Sequence, residues 1–214
     1  MGDTSGANRL EQRKARTRAA LISAAQVFIG QGRLNVPILE LTQAADVGMG
    51  SFYNHFASRD ELLRVAVGEV LDRLGSVLDE LTTGAGDPAQ VFAQSFRLVG
   101  RLHRREPTAS KVLLAEGLAF AGADTGVAVR ARRDIDNGVR AGRFAVRDVE
   151  LALTIVSGAA LCLGKLLHVE PARDDAEAVD QVAEDLLRML GLDAREAQEI
   201  SRSPLPSIGD LLPG

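Results

Sequence analysis

The chain has 214 residues, 46% hydrophobic and 25% charged, with a formal net charge of −4. That is an ordinary soluble balance, long enough for one or two small domains with a substantial core. No apolar run reaches the ~20 uncharged residues a membrane helix needs, the polar start MGDTSGANRLEQRKART has no signal-peptide core, and the single Cys162 excludes an internal disulfide, so a cytoplasmic protein with no membrane partner is expected. Seven Phe, one Tyr and no Trp leave a mostly aliphatic core.

The charge is unevenly distributed. Residues 1–64 carry eight Lys/Arg against six Asp/Glu, and residues 65–214 carry seventeen against twenty-three. A mildly basic head on an acidic body suits a protein that touches phosphates at one end.

In chain order the pattern is helical nearly throughout, with no convincing strand alternation. Residues 1–8 are expected to be a disordered tail. A first helix runs from about Arg9 to Gln31, with Leu21, Ala25 and Phe28 on one stripe, and ends at Gly30 and Gly32. A second spans Pro37 to Ala45, with proline in its first turn and Asn35 or Val36 near the cap. A third covers Met49 to Phe56. Two helices so closely joined form a helix-turn-helix.

Ser58-Arg59-Asp60-Glu61 is a capping box that starts a long connecting helix over 58–83. After Gly84-Ala85-Gly86, Asp87 caps a fifth helix, Pro88 to Arg105. Further helices are expected at Pro107–Phe120, Thr125–Ala141, Asp148–His168 and Asp174–Leu190, with a short one capped by Asp193. Residues 202–214 read as a flexible tail. The predicted fold class is all-α: a three-helix DNA-binding head over 9–57 and a larger helical body over 58–201.

In the head, Gly48, Gly50 and Ser51 are small enough to bring a helix start close to a groove floor or a phosphate. Met49 is suited to a thymine methyl. Phe52 and Phe56, four apart, suit the core, which leaves Tyr53 and Asn54 facing outward. Ser51 and Asn54 can hydrogen-bond DNA, Arg59 can add a charge-assisted phosphate contact, and Thr42 offers a hydroxyl from the preceding helix. Thr17 and Arg18 can meet phosphate from the first helix.

The stretch Thr17 to Leu63 resembles the TetR family of transcriptional regulators. The matching residues are Thr17-Arg18, Leu21-Ile22, Ala24-Ala25, Phe28, Gly32, Leu41, Ala45, Val47, Gly50-Ser51-Phe52-Tyr53-Asn54-His55-Phe56 and Ser58-Arg59-Asp60-Glu61-Leu62-Leu63. Three positions depart from the pattern. Asp46 stands where a turn glycine is usual, and Asp tolerates the left-handed conformation better than most residues. Gly48 stands where a Ser or Thr cap is usual, and Thr42 replaces a customary Ala.

The resemblance implies that Tyr53 and His55 form a phosphate-binding pair. It implies a homodimer on a palindromic double-stranded DNA operator, and a small-molecule effector entering the body to alter DNA binding. Such a protein is a repressor released by its effector, and an aliphatic body suggests a lipophilic one. Candidate cavity residues are Phe92, Phe96, Val99, His103, Leu113, Glu116, Leu118, Phe120, Leu166 and His168. Candidate dimer residues are Leu151, Ile155, Ala159, Cys162, Val179, Val182, Leu186 and Met189. There is no phosphate loop, metal-spaced Cys/His set or nucleophile elbow, so neither an enzyme nor a cofactor is expected. The alternative is a helical sequestering protein that binds a small molecule but not DNA.

Overall fold

Helices supply all the regular structure among residues 4–82, 86–105, 107, 110, 111, 113, 114 and 126–205, which the computed structural model describes. They are α1 (Thr4–Gly30), α2 (Ile38–Ala44), α3 (Met49–Tyr53), α4 (Arg59–Thr82), α5 (Pro88–Arg105), α6 (Gly126–Arg140), α7 (Val149–Val169), α8 (Asp175–Met189) and α9 (Ala194–Ser201). The all-α class expected from the sequence is the class observed. Pro107, Ser110, Lys111, Leu113 and Leu114 are helical as well. The rest of the helix expected over Pro107–Phe120 lies outside the described residues, as do residues 206–214 of the expected tail.

The chain divides into two units, Met1–Glu69 and Val70–Gly214. The division falls inside α4, eleven residues or so beyond the capping box at which the sequence reading ended the head. In the first unit α1 begins at Thr4, so helix extends into the stretch 1–8 that was expected to be disordered. Its inner face, Leu21, Ala25 and Ile29, is fully buried, and α2 packs against both α1 and α3. Gly32 closes α1 with φ +76°, its N–H donating to the Ile29 carbonyl while Arg33 N–H reaches the Phe28 carbonyl. Both bonds satisfy carbonyls left open at the helix end.

The same device closes α2, with an aspartate in the glycine position. Asp46 has φ +53°, and the Val47 N–H donates to the Thr42 carbonyl at 2.9 Å. Pro37 is not inside the first turn of α2 but occupies the cap position with extended backbone. The capping box of α4 forms with one change: Ser58 Oγ accepts from Glu61 N–H at 3.1 Å, while Glu61 accepts from Ala57 N–H, one residue ahead of the cap.

The second unit is organised around α5, which packs against α6, α7, α8 and α9. Phe92 and Phe96 join Ile135, Phe144, Leu153, Val156, Leu167, Val179 and Leu187 in the main core. Asp87 caps α5 as expected, and Arg143 grips its carboxylate at 2.8 and 2.9 Å while also reaching Glu196 at 2.6 Å. Asp148, Asp174 and Asp193 cap α7, α8 and α9 with their side chains.

By length and composition α7 is apolar enough to cross a membrane, with mean hydropathy 1.7 over its most apolar window, but Glu150 and Lys165 keep its uncharged run short of the ~20 residues a membrane helix needs. Its Ala152, Leu153, Val156, Leu163 and Leu167 are buried in the body core.

Candidate nucleic-acid interface and polar sites of the body

The helix-turn-helix places its side chains by a simple division. Phe52 is 0% exposed and Phe56 2%, with ring centroids 6.0 Å apart. With these two held inside, the intervening Tyr53 and Asn54 must point away, and Tyr53 is 60% exposed with its ring edge-on to Phe52 at 5.3 Å. Met49 is 47% exposed. Gly48, Gly50 and Asn54 are exposed, and Ser51 and His55 half-buried. One face thus presents Met49, Gly50, Tyr53 and Asn54 to solvent, flanked by His55. α3 itself is only five residues long, ending at Tyr53 rather than Phe56.

Three residues expected at this interface are engaged elsewhere. Thr42 is buried, and its hydroxyl donates to the Leu39 carbonyl at 2.9 Å, so it closes its own helix rather than offering a contact. Arg18 pairs with Glu69 at 3.2 Å and lies 5.5 Å from the Phe56 ring centroid, a cation–π contact. Arg59 pairs with the adjacent Asp60 at 3.0 Å. Both arginines remain partly exposed, and exposed ion pairs of this kind exchange partners at a cost of about 1 kcal/mol or less. Thr17 is half-buried.

Besides the Asp87–Arg143–Glu196 group, three further polar clusters stand out among the described residues of the body. In the first, Ser110 Oγ lies 2.7 Å from His103 Nδ1 and 2.7 Å from His168 Nε2. The hydroxyl donates to one ring and accepts from the other. Burial lowers the His103 pKa to about 4, and the neighbouring His168 pushes the same way. The ring packs so tightly on α7 that a Cβ at Gly164 would sit 2.3 Å from it. His103 is thus a neutral core group clamped between α5 and α7.

In the second cluster, Arg97 is 3% exposed and grips both oxygens of Asp180 at 2.8 and 3.2 Å, while its third nitrogen donates to the Ser203 carbonyl at 2.7 Å. Arg101 shares Asp180 at 2.8 Å.

The third cluster links α4, α5 and α6. Asp79 accepts from Arg130 at 2.7 Å and Arg133 at 2.8 Å. Burial alone would raise its pKa, but the two guanidiniums outweigh burial and hold the carboxyl below the usual range. Asp134 is 3% exposed, accepts from Arg133 at 3.1 Å, and has Ser95 Oγ at 3.5 Å. Burial raises its pKa, and Arg133 only partly opposes that. Beside this cluster Leu78, Leu98, Val99 and Leu102 form a separate small apolar core, with Leu113 and Val127 packed on it.

The residues proposed to line an effector cavity are therefore not one constellation. Phe92 and Phe96 belong to the main core, with Phe92 edge-on to Phe144 at 5.8 Å. Val99 and Leu113 belong to the small one. His103 and His168 meet through Ser110, and Leu166 is 36% exposed on the outside of α7. Glu116, Leu118 and Phe120 lie outside the described residues. Among the expected dimer residues, Val179 and Leu186 are buried core, and Ala159 and Val182 pack partly against it. Leu151, Ile155 and Met189 are 63%, 52% and 38% exposed, and Cys162 is exposed. Leu166 and Val169, the latter 63% exposed, extend that outer face. Sequence reading missed Ser110, Ser95, Asp134 and the Arg97–Asp180–Arg101 group.

A short solvent-facing helix over a buried aromatic pair, joined by a tight turn to the helix before it, is a helix-turn-helix, the arrangement of many DNA-binding proteins. Comparison with known proteins agrees. Residues 21–66 match the model for bacterial regulatory proteins of the tetR family, and residues 87–203 match the tetracyclin repressor-like C-terminal domain. The chain belongs to the TetR family of transcriptional regulators. It is 31% identical over 100 residues to the HTH-type transcriptional regulator TcmR of Streptomyces glaucescens, a stretch covering 45% of this chain and 44% of that protein. It is 33% identical to RolR. In complex with resorcinol RolR matches over 92% of this chain and 99% of its own, with TM-score 0.66. Without ligand it matches over 89% and 98%, with TM-score 0.74.

Proposed function

We propose that this protein is a dimeric repressor, acting in the cytoplasm, that binds a palindromic operator and is released from it by a small hydroxylated aromatic effector. The observation that carries the DNA-binding part is the exposed face Met49, Gly50, Tyr53, Asn54 over buried Phe52 and Phe56. Tyr53 and His55 donate to phosphate, and Met49 reads a base edge through a methyl contact. One five-residue helix reads few base pairs, so specificity requires a symmetric pair of heads. The outer face of α7, Leu151, Ile155, Cys162, Leu166 and Val169, with Met189 of α8, supplies the apolar surface for pairing.

Gel-shift titration over an operator library checks the head. Tyr53→Phe is expected to weaken binding to every sequence by a similar factor, about three- to tenfold, because it removes a backbone contact. Met49→Ala is expected to change the order of preference among sequences. Equal losses on all sequences for Met49→Ala would remove its reading role. A protein that binds its small molecule yet never retards duplex DNA would be the sequestering alternative.

For the effector, the support is the resorcinol complex of RolR together with the third polar cluster of this chain. That cluster offers a buried carboxyl, a second carboxylate, a hydroxyl and two guanidiniums, Asp134, Asp79, Ser95, Arg130 and Arg133, and Leu78, next to Asp79 in the chain, belongs to the small apolar core that would serve as the wall. Ring hydroxyls need such acceptors and donors, and the ring needs the wall. This adds ring hydroxyls to the lipophilic effector expected from composition. Resorcinol is expected to release the wild-type protein from its operator. Asp134→Asn should raise the concentration needed by roughly tenfold or more while operator affinity without ligand stays unchanged. An unchanged resorcinol response in Asp134→Asn would move the site elsewhere.

A further inference from the structure

An open cleft of about 570 Å³ lies at the C-terminal end of α5, against the start of α8 and the segment after α9. Five of its ten lining residues are arginines, Arg97, Arg101, Arg104, Arg105 and Arg202, and Asp175 is the single acid among them. The body as a whole is acidic, since residues 65–214 carry seventeen Lys/Arg against twenty-three Asp/Glu. Such a concentration of one sign runs against the composition around it.

The existing partners do not neutralise these charges. Arg202 is matched by Glu177 at 3.0 Å. Arg97 and Arg101 share the one carboxylate of Asp180, and Arg101 Nη1 has no partner although it is shielded from solvent. Among the described residues Arg104 donates to backbone carbonyls, of Glu170 at 2.8 Å and Arg173 at 3.2 Å, and not to a carboxylate. No anion stands against Arg105 among the described residues. The cleft therefore retains a surplus of positive charge held on two buried guanidinium stems, Arg97 at 3% exposure being the deepest.

Guanidinium groups present paired N–H donors that match the oxygens of a phosphate, and a group of them in a concave site focuses potential on an anion. Arg97 and Arg101 are fixed by Asp180 before any ligand arrives, which removes most of the ordering cost of binding. We propose that this cleft is a binding site for a small multivalent oxyanion of the phosphate or phosphorylated-metabolite class, separate from the effector cluster on α4, α5 and α6. The volume accommodates more than a bare phosphate. The proposal does not depend on the effector assignment, since none of its arginines belongs to that cluster, although Leu205 of its lining packs on the small apolar core.

The test uses the full-length protein with inorganic pyrophosphate, titrated calorimetrically at constant ionic strength. The control is Arg104→Gln combined with Arg105→Gln, two side chains outside the apolar core, and its thermal transition should match wild type. Pyrophosphate is expected to bind at one site per chain, and the double variant to bind at least about tenfold more weakly. Resorcinol response and operator affinity should be unchanged in the variant. Absence of saturable pyrophosphate binding, or equal binding by wild type and variant, would overturn the proposal. Loss of operator affinity with pyrophosphate binding intact would overturn it too, assigning the arginines to DNA phosphate instead.

Discussion

Phe52→Ala is expected to unfold the N-terminal unit and abolish operator binding, leaving the body folded. Phe52 is fully buried and touches both neighbouring rings, Tyr53 at 5.3 Å and Phe56 at 6.0 Å. Truncating a buried phenylalanine costs about 3–5 kcal/mol. A unit of about seventy residues has little more stability than that to lose. The chain provides its own reporter, because Tyr53 is the sole tyrosine and there is no tryptophan. Tyrosine fluorescence during urea denaturation therefore follows the head alone, while far-UV circular dichroism is dominated by the longer helical body. The variant should lose the tyrosine transition and keep most of the dichroism transition. A tyrosine transition within about 1 kcal/mol of wild type would mean that Phe52 does not anchor the head.

Asp180→Ala is the corresponding experiment on the body. Among the described residues, Asp180 is the only carboxylate holding Arg97 and Arg101, whose side chains are 4% and 11% exposed. Removing one partner from a buried charged group strands the others, at a cost of about 3–5 kcal/mol. Replacing all three together, Arg97→Met and Arg101→Met with Asp180→Leu, should recover much of that loss, since no charge is then left buried alone. Denaturation monitored by circular dichroism at neutral pH measures both variants. A single variant as stable as wild type to within about 0.5 kcal/mol would show that water reaches the stranded guanidiniums and compensates them.

These experiments probe the two layers of information that the sequence carries unequally. Caps and turns were legible because their chemistry is local. Asp87, Asp148, Asp174 and Asp193 each sit at the start of a helix and accept from amides two or three residues ahead. Asp46 takes the left-handed turn that its position demands. The division of Met49 to Phe56 into an inner aromatic pair and an outer reading face followed from four-residue spacing, and burial follows it.

What escaped is long-range. Arg97 and Asp180 are 83 residues apart, and Ser95 and Asp134 are 39 apart. Nothing in helical periodicity joins them. Periodicity marks an apolar stripe but not its occupant, so Val179, Leu186 and Met189 read alike on α8, although the first two are core and the third is on the surface. Leu166 was assigned inward for the same reason, yet it lies on the outer face of α7. Thr42 shows a different limit. A hydroxyl beside a reading helix is equally suited to a phosphate or to a carbonyl three residues back, and here Leu39 takes it. The long, apolar α7, interrupted by Glu150 and Lys165, is built into the body core along one side.

The greasy strip along α7, from Leu151 to Val169, bears on how such a regulator would count itself. If two copies hide the strip against each other, only the paired form has both reading heads, and pairing follows mass action. Promoter occupancy then climbs faster than linearly with copy number. Under the proposed repressor reading, at concentrations well below the pairing constant, a cell that inherits half the usual number of molecules would hold less than half the usual amount of the paired form.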